Sequence, residues 1–459
     1  MTLAQSTVAA VQTATAHLAA VRTAPQLTSH QVLVFLLQLG VLLLVAFCLG
    51  RLANRIGLAP VVGELAAGVL LGPSVFGRIA SGAADWLFPA RADQAHLLDA
   101  VAQLSVLLLV GVAGAHLDLR MLRRRRTVVA KIGLAGLLLP LALGVSAGYV
   151  VPAALIGESG HGLVFALFLG VALSVSAIPV IAKTFADMNL LHRDVGQLTL
   201  ASAAVDDAIG WMLLSLVATM AAGSLGVLHI GLAVATLAGF LLVALVLGRP
   251  LVRWAMRRAG GAGQPGPTAV VATVVILFCA SATQLLNLEA VFGAFVAGVL
   301  LSSVVEHRLL APLRTVTVSV FAPLFLANAG LRIDLGALLD PSVLLTGVAL
   351  LVLAVVGKFA GAYLGARTSG LTRWEGLAIG AGLNARGAVE IVVASIGLKL
   401  GVLTTATYTV VVLIAVFTSM MAPPVLRRAM ARIEQNADER LREAELELAP
   451  AARETPSEA

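Results

Sequence analysis

The stretch SAAVDDAIGW, residues 202–211, places two adjacent carboxylates, Asp206 and Asp207, near the middle of an apolar segment. The segment extends over about 197–220, which is long enough to cross a hydrocarbon layer of about 30 Å as a helix. Carboxylates at that depth cost several kcal/mol each, so they are rare and usually line polar sites. The stretch therefore predicts a membrane-spanning helix that carries a functional acidic pair.

The composition of the whole chain supports the same interpretation. Of the 459 residues 59% are hydrophobic and 12% are charged, whereas a soluble domain has roughly 25% charged residues. The apolar stretches do not alternate with polar residues, as strands of a membrane barrel would. The net charge of +7 comes from Lys and Arg in short loops, which is typical of membrane orientation rather than of nucleic-acid binding. We predict an all-α integral membrane protein.

We expect about thirteen transmembrane helices, which are numbered here as spans 1 to 13. Their limits are about 31–50, 59–76, 95–117, 127–151, 162–184, 197–220, 225–248, 267–286, 289–304, 315–332, 342–366, 375–398 and 404–425. Basic residues gather in the loops after odd-numbered spans, such as the runs within 123–126 and 249–258. The positive-inside rule then predicts a multi-pass protein of the inner (plasma) membrane, with its N-terminus outside and its C-terminus in the cytoplasm.

The two ends of the chain are interpreted as tails. Residues 1–30 lack a basic region followed by an apolar segment, so they do not resemble a cleaved signal peptide. Residues 430–459 are rich in charge and are interpreted as a solvated cytoplasmic tail. The membrane domain is expected over residues 31–429.

An internal repeat is visible in two pairs of segments. The sequence AGVLL occurs at 67–71 and again at 297–301, and AGAHLDL at 113–119 resembles AGLRIDL at 329–335. The members of each pair lie seven spans apart, so the two copies have opposite orientations in the membrane. Inverted repeats are a feature of transporters, whose sites lie near the membrane centre between the copies.

Two spans contain residues that break helices. Span 5 carries LSVSAIPV at 173–180, where Pro179 removes a backbone donor. A break there would free carbonyl groups that can face a cation, together with the hydroxyls of Ser174 and Ser176, whereas the alternative is an ordinary proline kink. Span 12 carries GLNARGAVE at 382–390, and the repeat predicts a second broken helix there.

Further charged residues lie inside the spans. Lys358 is central in span 11 and needs an anionic partner, for which the aspartate pair is the natural candidate and Glu390 an alternative. Arg386 and Glu390 are four residues apart, so they share a helix face if that stretch is helical. Glu64 in span 2 pairs with an arginine such as Arg386 or supports the scaffold, and the sequence does not decide between these.

The chemistry of the acidic pair predicts the function. Two adjacent carboxylates cannot both ionise cheaply in a low dielectric, so the pair holds protons or releases them to hold a monovalent cation. The cysteines, Cys48 and Cys279, lie in apolar stretches, and no CxxC, P-loop or catalytic triad occurs, so neither an enzyme nor a cofactor is expected. The alternatives are a sodium-coupled symporter of an organic anion and a channel-like or sensory protein.

These motifs together resemble those of the monovalent cation:proton antiporter-2 family, close to the plant cation/H⁺ exchangers and their bacterial relatives. The resemblance lies in residues 60–74 (PVVGE to GPS), 173–180, 202–211, Lys358 and 382–390. Several separate motifs occur in the same order, so the resemblance is specific.

The resemblance implies a homodimer with a fixed scaffold and a moving core that changes access by an elevator-like motion. Scaffold and dimer contacts would occupy about 31–117 and 267–332, and the core about 127–220 and 342–429, with a linker helix at about 225–248. The broken spans 5 and 12 would cross at the site. By the same resemblance Asp207 is the main carrier of cation and proton, and Asp206 pairs with Lys358 in one protonation state.

Overall fold

A computed structural model describes residues 27–440, apart from 90–91, 116–124, 191, 223–226, 261–264, 305–308 and 438. The N-terminal tail up to residue 26 and the C-terminal tail from 441 onward lie outside the described residues, as do residues 116–119 of the repeat. The regular secondary structure of the described residues is helical, apart from one isolated β-bridge between Ile156 and Leu403. The predicted all-α fold class is confirmed.

The α-helices of the described residues are numbered in chain order. They are α1 (Ser29–Arg55), α2 (Pro60–Leu71), α3 (Phe76–Ile79), α4 (Ser81–Leu87), α5 (Ala92–Ala115), α6 (Arg126–Gly148), α7 (Leu163–Ser174), α8 (Ile178–Asp187), α9 (Asp194–Ala222), α10 (Val227–Val243), α11 (Arg249–Gly260), α12 (Pro265–Leu285), α13 (Ala290–Ser302), α14 (Ala311–Val316), α15 (Ala322–Leu331), α16 (Pro341–Arg367), α17 (Arg373–Leu383), α18 (Ala388–Lys399) and α19 (Thr405–Met430). Short π-helical segments, Ala244–Gly248 and Thr317–Phe321, join α10 to α11 and α14 to α15.

The number of membrane-spanning helices is lower than expected when it is judged by length and hydropathy. Ten helical segments of the described residues are long and apolar enough to span a membrane, or eleven if the bent pair α17 and α18 counts as one. The count of thirteen is therefore not confirmed. The difference arises in spans 5 and 9, where α7 has 12 residues and α13 has 13. Each is shorter than the roughly 20 residues that a bilayer requires.

Helix starts follow local sequence signals. The hydroxyl of Thr372 accepts the N–H of Glu375 at 3.3 Å, and the Glu375 carboxylate accepts the N–H of Thr372 at 2.7 Å. This capping box fixes the start of α17, because it satisfies backbone donors that have no partner within the helix. At α16 the side chain of Asp340 accepts the N–H of Ser342 at 2.8 Å, and Pro341 occupies the first turn, where it disrupts no hydrogen bond.

The outer surface of the helices carries large apolar side chains that are exposed. Leu44 and Phe47 on α1 have 62% and 51% of their surface exposed, and Leu345 on α16 has 73%. Apolar surface of this extent would be unfavourable in water and is what a lipid environment requires.

The predicted repeat is present in the geometry of two helical hairpins, α1–α2 and α12–α13. Their turns contain Gly57 and Asn287, which both have left-handed backbone conformations, with φ of 81° and 55°. Each donates its N–H to the carbonyl group three residues earlier, at 3.2 and 3.1 Å. These two residues are 230 positions apart, as are the segments 67–71 and 297–301. The two hairpins therefore have the same structure in the same register.

The contacts between the copies have the expected two-fold relation. A Cβ atom added to Gly68 would lie 2.7 Å from the Cα of Gly330, so α2 and α15 pack backbone to backbone. A Cβ atom added to Gly298 would lie 2.9 Å from the Cα of Gly114, so α13 packs on α5 in the same way. Gly298 is the counterpart of Gly68 in the repeat, and Gly114 is the counterpart of Gly330. The two contacts are thus equivalent, as an inverted repeat predicts.

Both predicted helix breaks are present, and they meet. Residues 175–177 separate α7 from α8, and 384–387 separate α17 from α18 with a bend of 46°. The N–H of Ala177 donates to the carbonyl of Ala385 at 3.3 Å, which joins the two breaks through their backbones. The broken, crossed spans 5 and 12 are therefore confirmed, and the simple kink at Pro179 is not what the structure contains.

The first part of the C-terminal tail is docked rather than solvated. Glu439, which is 3% exposed, lies 3.1 Å from the Arg193 guanidinium and accepts the N–H of Asp194 at 2.7 Å. Arg193 also donates to the carbonyls of Ile433 and Glu434, at 3.0 and 3.2 Å. Asp194 begins α9, so Glu439 satisfies a free N–H at the positive end of that helix. The expectation of a solvated tail is wrong as far as Glu439.

The two-fold glycine contacts yield a test of the packing. Gly298→Val should lower the unfolding temperature of the purified protein in detergent, because the added side chain would overlap the α5 backbone at a cost of about 1–3 kcal/mol. Gly40→Val is the matched control, since a Cβ atom at exposed Gly40 has nothing within 4 Å. Equal unfolding temperatures for the two variants would contradict the close packing of α13 on α5.

Candidate ion-binding site

The acidic pair lies at the crossing of the two broken spans. Asp206 and Asp207 are carried by α9, with 0% and 1% of their surface exposed. The hydroxyl of Ser176, in the break of span 5, lies 3.0 Å from Asp206 Oδ2 and 2.9 Å from the carbonyl oxygen of Leu383, in span 12. One hydroxyl therefore links α9 to both breaks, although its single hydrogen can serve one acceptor at a time.

Lys358 on α16 is the ionic partner of Asp206. Its Nζ atom lies 2.5 Å from Asp206 Oδ2 and donates to the carbonyl of Ser174 at 2.6 Å. Neither side chain of the ion pair is exposed. A charge-assisted bond in a dry environment holds both groups firmly, and losing either partner would leave a buried charge uncompensated.

Asp207 has a different environment from its neighbour. No hydrogen bond or ion pair joins it to another side chain in the described part of the chain, and its Oδ1 atom is fully buried. Of the two acids, Asp206 is thus balanced by Lys358, and Asp207 has no balancing charge of its own. A charged carboxylate in that position is strongly unfavourable, so the group has to be neutralised by a proton or balanced by a bound cation.

A second buried pair, Arg386 and Glu390, supports the break in span 5. The Arg386 guanidinium lies 3.3 Å from Glu390 and donates to the carbonyls of Ala172 and Leu173, at 3.4 and 2.5 Å. These carbonyls belong to the last turn of α7, which has no helical partners for them, and a cation there is also favoured by the helix dipole. Arg386 lies in the break 384–387, before α18 begins at Ala388, so it does not share a helix face with Glu390. It pairs with Glu390 from the break and satisfies the carbonyl end of α7.

Of the two serines and Glu64, which were predicted as site residues, only Ser176 has a side chain that contacts the acidic pair. The Ser176 hydroxyl contacts Asp206. The hydroxyl of Ser174 instead donates to the carbonyl of Val171 within its own helix, and only the Ser174 carbonyl faces the site. The carbonyls freed by the break accept hydrogen bonds from Lys358 and Arg386. Glu64 is not paired with Arg386; it lies against α1, where a Cβ atom added to Gly50 would come within 3.4 Å of its carboxylate.

Two buried polar residues that lie within the sequence motifs were not predicted as site residues. Ser202 and Asn384 are both 0% exposed, and the Ser202 hydroxyl and both amide atoms of Asn384 lack hydrogen-bond partners among the described residues. Ser202 could have been found from its position four residues before Asp206, on the same helix face. Asn384 lies in the break of span 12, where sequence does not predict the direction of a side chain.

The site and fold can be compared with known proteins. The family profile described as "Sodium/hydrogen exchanger, transmembrane" matches residues 41–432. The chain is 29% identical over 394 residues to Cation/H(+) antiporter 18 of Arabidopsis thaliana, a match that covers 85% of this chain and 48% of that protein. It is 29% identical over 408 residues to the Na(+)/H(+) antiporter NhaS4 of Synechocystis sp., covering 87% and 97%. The chain thus spans about half the length of the plant relative.

A third relative and a solved structure agree with these matches. The Na(+)/H(+)-K(+) antiporter GerN of Bacillus cereus is 27% identical over 399 residues, covering 86% of this chain and 95% of that protein. The sodium proton antiporter MjNhaP1 from Methanocaldococcus jannaschii has a TM-score of 0.61 at 14% identity over 87% of this chain and 97% of that one, which establishes a shared fold. These relatives are transporters rather than enzymes. The resemblance found in the motifs is confirmed, and the chain belongs to the transmembrane sodium/hydrogen exchanger family of monovalent cation:proton antiporters.

Proposed function

We propose that this chain is a secondary active antiporter that exchanges a monovalent cation, Na⁺ or K⁺, for H⁺ across the inner membrane. One observation carries the proposal: Asp207 is buried beside Asp206, whose charge Lys358 balances, and Asp207 itself is unpaired among the described residues. A buried carboxylate in that situation holds either a proton or a cation. Because the two occupants exclude each other, one site can couple their movements in opposite directions.

The names of the relatives support the choice of ions. NhaS4 is named as an Na⁺/H⁺ antiporter and GerN as an Na⁺/H⁺-K⁺ antiporter. A sodium-coupled symporter of an organic anion has no such support. In the proposed cycle Asp207 is the carrier, Asp206 and Lys358 are its charge partners, and Arg386 with Glu390 holds the broken helix in place.

Access to the site would alternate by an elevator-like motion of the core, 127–220 and 342–429, against the scaffold, 31–117 and 267–332, in a homodimer. Among the described residues three hydrogen bonds join these two parts, and a fourth joins the core to Asp334, two residues beyond the limit of the scaffold. They run from Tyr408 to the Ala329 carbonyl at 2.7 Å, from Thr219 to the Asn287 carbonyl at 3.0 Å, from the Glu289 N–H to Ser215 at 3.2 Å and from the Asp334 N–H to Thr409 at 3.1 Å. All four lie at the end that the charge pattern places outside the cell. Movement of the core would have to break them.

The four bonds make the elevator motion testable. Tyr408→Phe removes the bond to Ala329 and leaves the other three in place, although the Tyr408 hydroxyl also contacts Ser395 within the core. If the four bonds open together, the N–H groups of Glu289 and Asp334 should also exchange with solvent faster. The loss of one hydrogen bond, about 1 kcal/mol, corresponds to an exchange rate that is roughly fivefold higher. Hydrogen exchange measured by mass spectrometry on the purified protein reads both segments. Thr418→Val is the control, since that hydroxyl bonds to Ile414 and Ala415 of its own helix.

A change confined to the segments around Tyr408 and Ala329 would contradict a core that moves as one body. In that case the four contacts would be independent, and the elevator proposal would lose this support.

The carrier role of Asp207 is tested by transport. Asp207→Asn removes the ionisable group and keeps its shape, so cation-driven proton movement in proteoliposomes should fall at least about 100-fold, to the level of empty vesicles. Alkalinisation of an acid-loaded lumen on addition of Na⁺ or K⁺ is the measured signal. Asp85→Asn, the same change on an exposed residue of α4, should exchange like the unaltered protein.

Exchange by Asp207→Asn at the rate of the unaltered protein would refute the assignment. If the unaltered protein moved no protons when a cation was added, antiport itself would be refuted. Symport of an organic anion, or an uncoupled channel, would then be the interpretation to pursue.

The Asp206–Lys358 pair is tested by a double-mutant cycle. Asp206→Asn leaves a buried ammonium unbalanced and Lys358→Met leaves a buried carboxylate unbalanced, so each should destabilise the protein by about 3–5 kcal/mol. The double variant removes both charges and should recover much of that loss. Thermal unfolding in detergent is the measurement. If the two losses simply add, the residues do not act as a pair.

A further inference from the structure

The segments that carry the acidic pair and the break of span 12 hold buried polar atoms that the proton carrier does not use. Besides Asp206 Oδ1 and Asp207 Oδ1, the hydroxyl of Ser202 and the side-chain amide of Asn384 are fully buried and have no partner among the described residues. Leaving a hydroxyl or an amide buried without a hydrogen bond costs roughly 1–3 kcal/mol, so buried polar atoms of this kind need an explanation.

The fold brings these residues to one place. Ser202 is one helical turn before Asp206 on α9, and side chains four residues apart share a helix face. Asn384 directly follows Leu383. The Ser176 hydroxyl lies 2.9 Å from the Leu383 carbonyl oxygen and 3.0 Å from Asp206 Oδ2. On the other side of Asn384 the Ala385 carbonyl accepts the N–H of Ala177. Asn384 is thus held between two residues that are both bonded to the break of span 5.

The chemistry of the set fits a monovalent cation. Hard cations prefer oxygen ligands from carboxylates, carbonyls, amides and hydroxyls. Lys358 neutralises Asp206, so Asp207 supplies one net negative charge and a monovalent cation balances it. Ser202 and Asn384 would add oxygen atoms without adding charge, which preserves that balance.

We propose that Asn384 Oδ1 and Ser202 Oγ are ligands of the transported cation at Asp207. This inference rests on the proposed antiport. The two ions would use different ligands. A proton needs only the Asp207 carboxylate, whereas a cation also needs the neutral oxygens from span 12 and from the preceding turn of α9. Loss of either neutral ligand weakens cation binding and leaves proton binding unchanged.

The experiment measures the half-saturating concentration of Na⁺, K⁺ and Li⁺ for proton exchange in proteoliposomes at one fixed pH. Asn384→Leu should raise it about tenfold and Ser202→Ala about threefold, with less than about twofold change in maximal rate. Thr199→Val is the matched control. It removes a buried hydroxyl from the same helix, but that hydroxyl already donates to the Val195 carbonyl at 2.7 Å, so the half-saturating concentration should not change.

A second readout does not depend on transport. A cation that binds the folded protein raises its unfolding temperature, and the concentration of Na⁺, K⁺ or Li⁺ needed for half of that rise should shift in the same variants by the same factors. If Asn384→Leu does not fold, Asn384→Ser, which keeps a shorter oxygen ligand, carries the test together with Ser202→Ala.

The outcomes separate this inference from the proposed function. If the unaltered protein exchanges cations for protons and the half-saturating concentrations of the variants are unchanged, the ligand assignment is wrong while antiport stands. Lower maximal rates or lower stability with unchanged half-saturation would mean that the two residues are structural, and this too overturns the assignment. If the unaltered protein shows no exchange, the proposed function fails first.

Discussion

The buried ion pair between Asp206 and Lys358 is the interaction on which the site depends. It joins α9 to α16 with neither side chain exposed, and Lys358 also takes the free carbonyl of Ser174 at the end of α7. One ammonium therefore balances a carboxylate and closes a broken helix. Without it, a charge and a backbone carbonyl would both lie unpaired in a low dielectric, which is strongly unfavourable.

The break in span 5 is stable because the side chains of Lys358 and Arg386 replace the missing helical hydrogen bonds. Lys358 and Arg386 donate to three successive carbonyls at the end of α7, and a backbone bond joins Ala177 to Ala385 across the crossing. Irregular backbone at membrane depth is tolerated only when protein groups or a polar cavity satisfy it. The break is therefore occupied by protein charges, and of the two acids Asp207 is the one without a balancing charge among the described residues.

Much of the fold could be predicted because its signals are local or repeated. Apolar length, loop charge and the segments 67–71 and 297–301 depend only on the order of residues, and the repeat fixed the position of the second break. The short α7 and α13 were harder, because a helix packed among others needs less length than one facing lipid. Docking of Glu439 on Arg193 could not be foreseen, since it depends on which loop the tail meets after folding.

In the proposed mechanism Asp207 holds either a proton or a cation. The most direct test is to count the protons that are released when a cation binds. The purified protein is placed in weakly buffered detergent solution near neutral pH, Na⁺, K⁺ or Li⁺ is added as its chloride, and the pH is followed against choline chloride. The mechanism predicts proton release that saturates with cation concentration and that is lost in the Asp207→Asn variant. Saturable cation binding without proton release would contradict it.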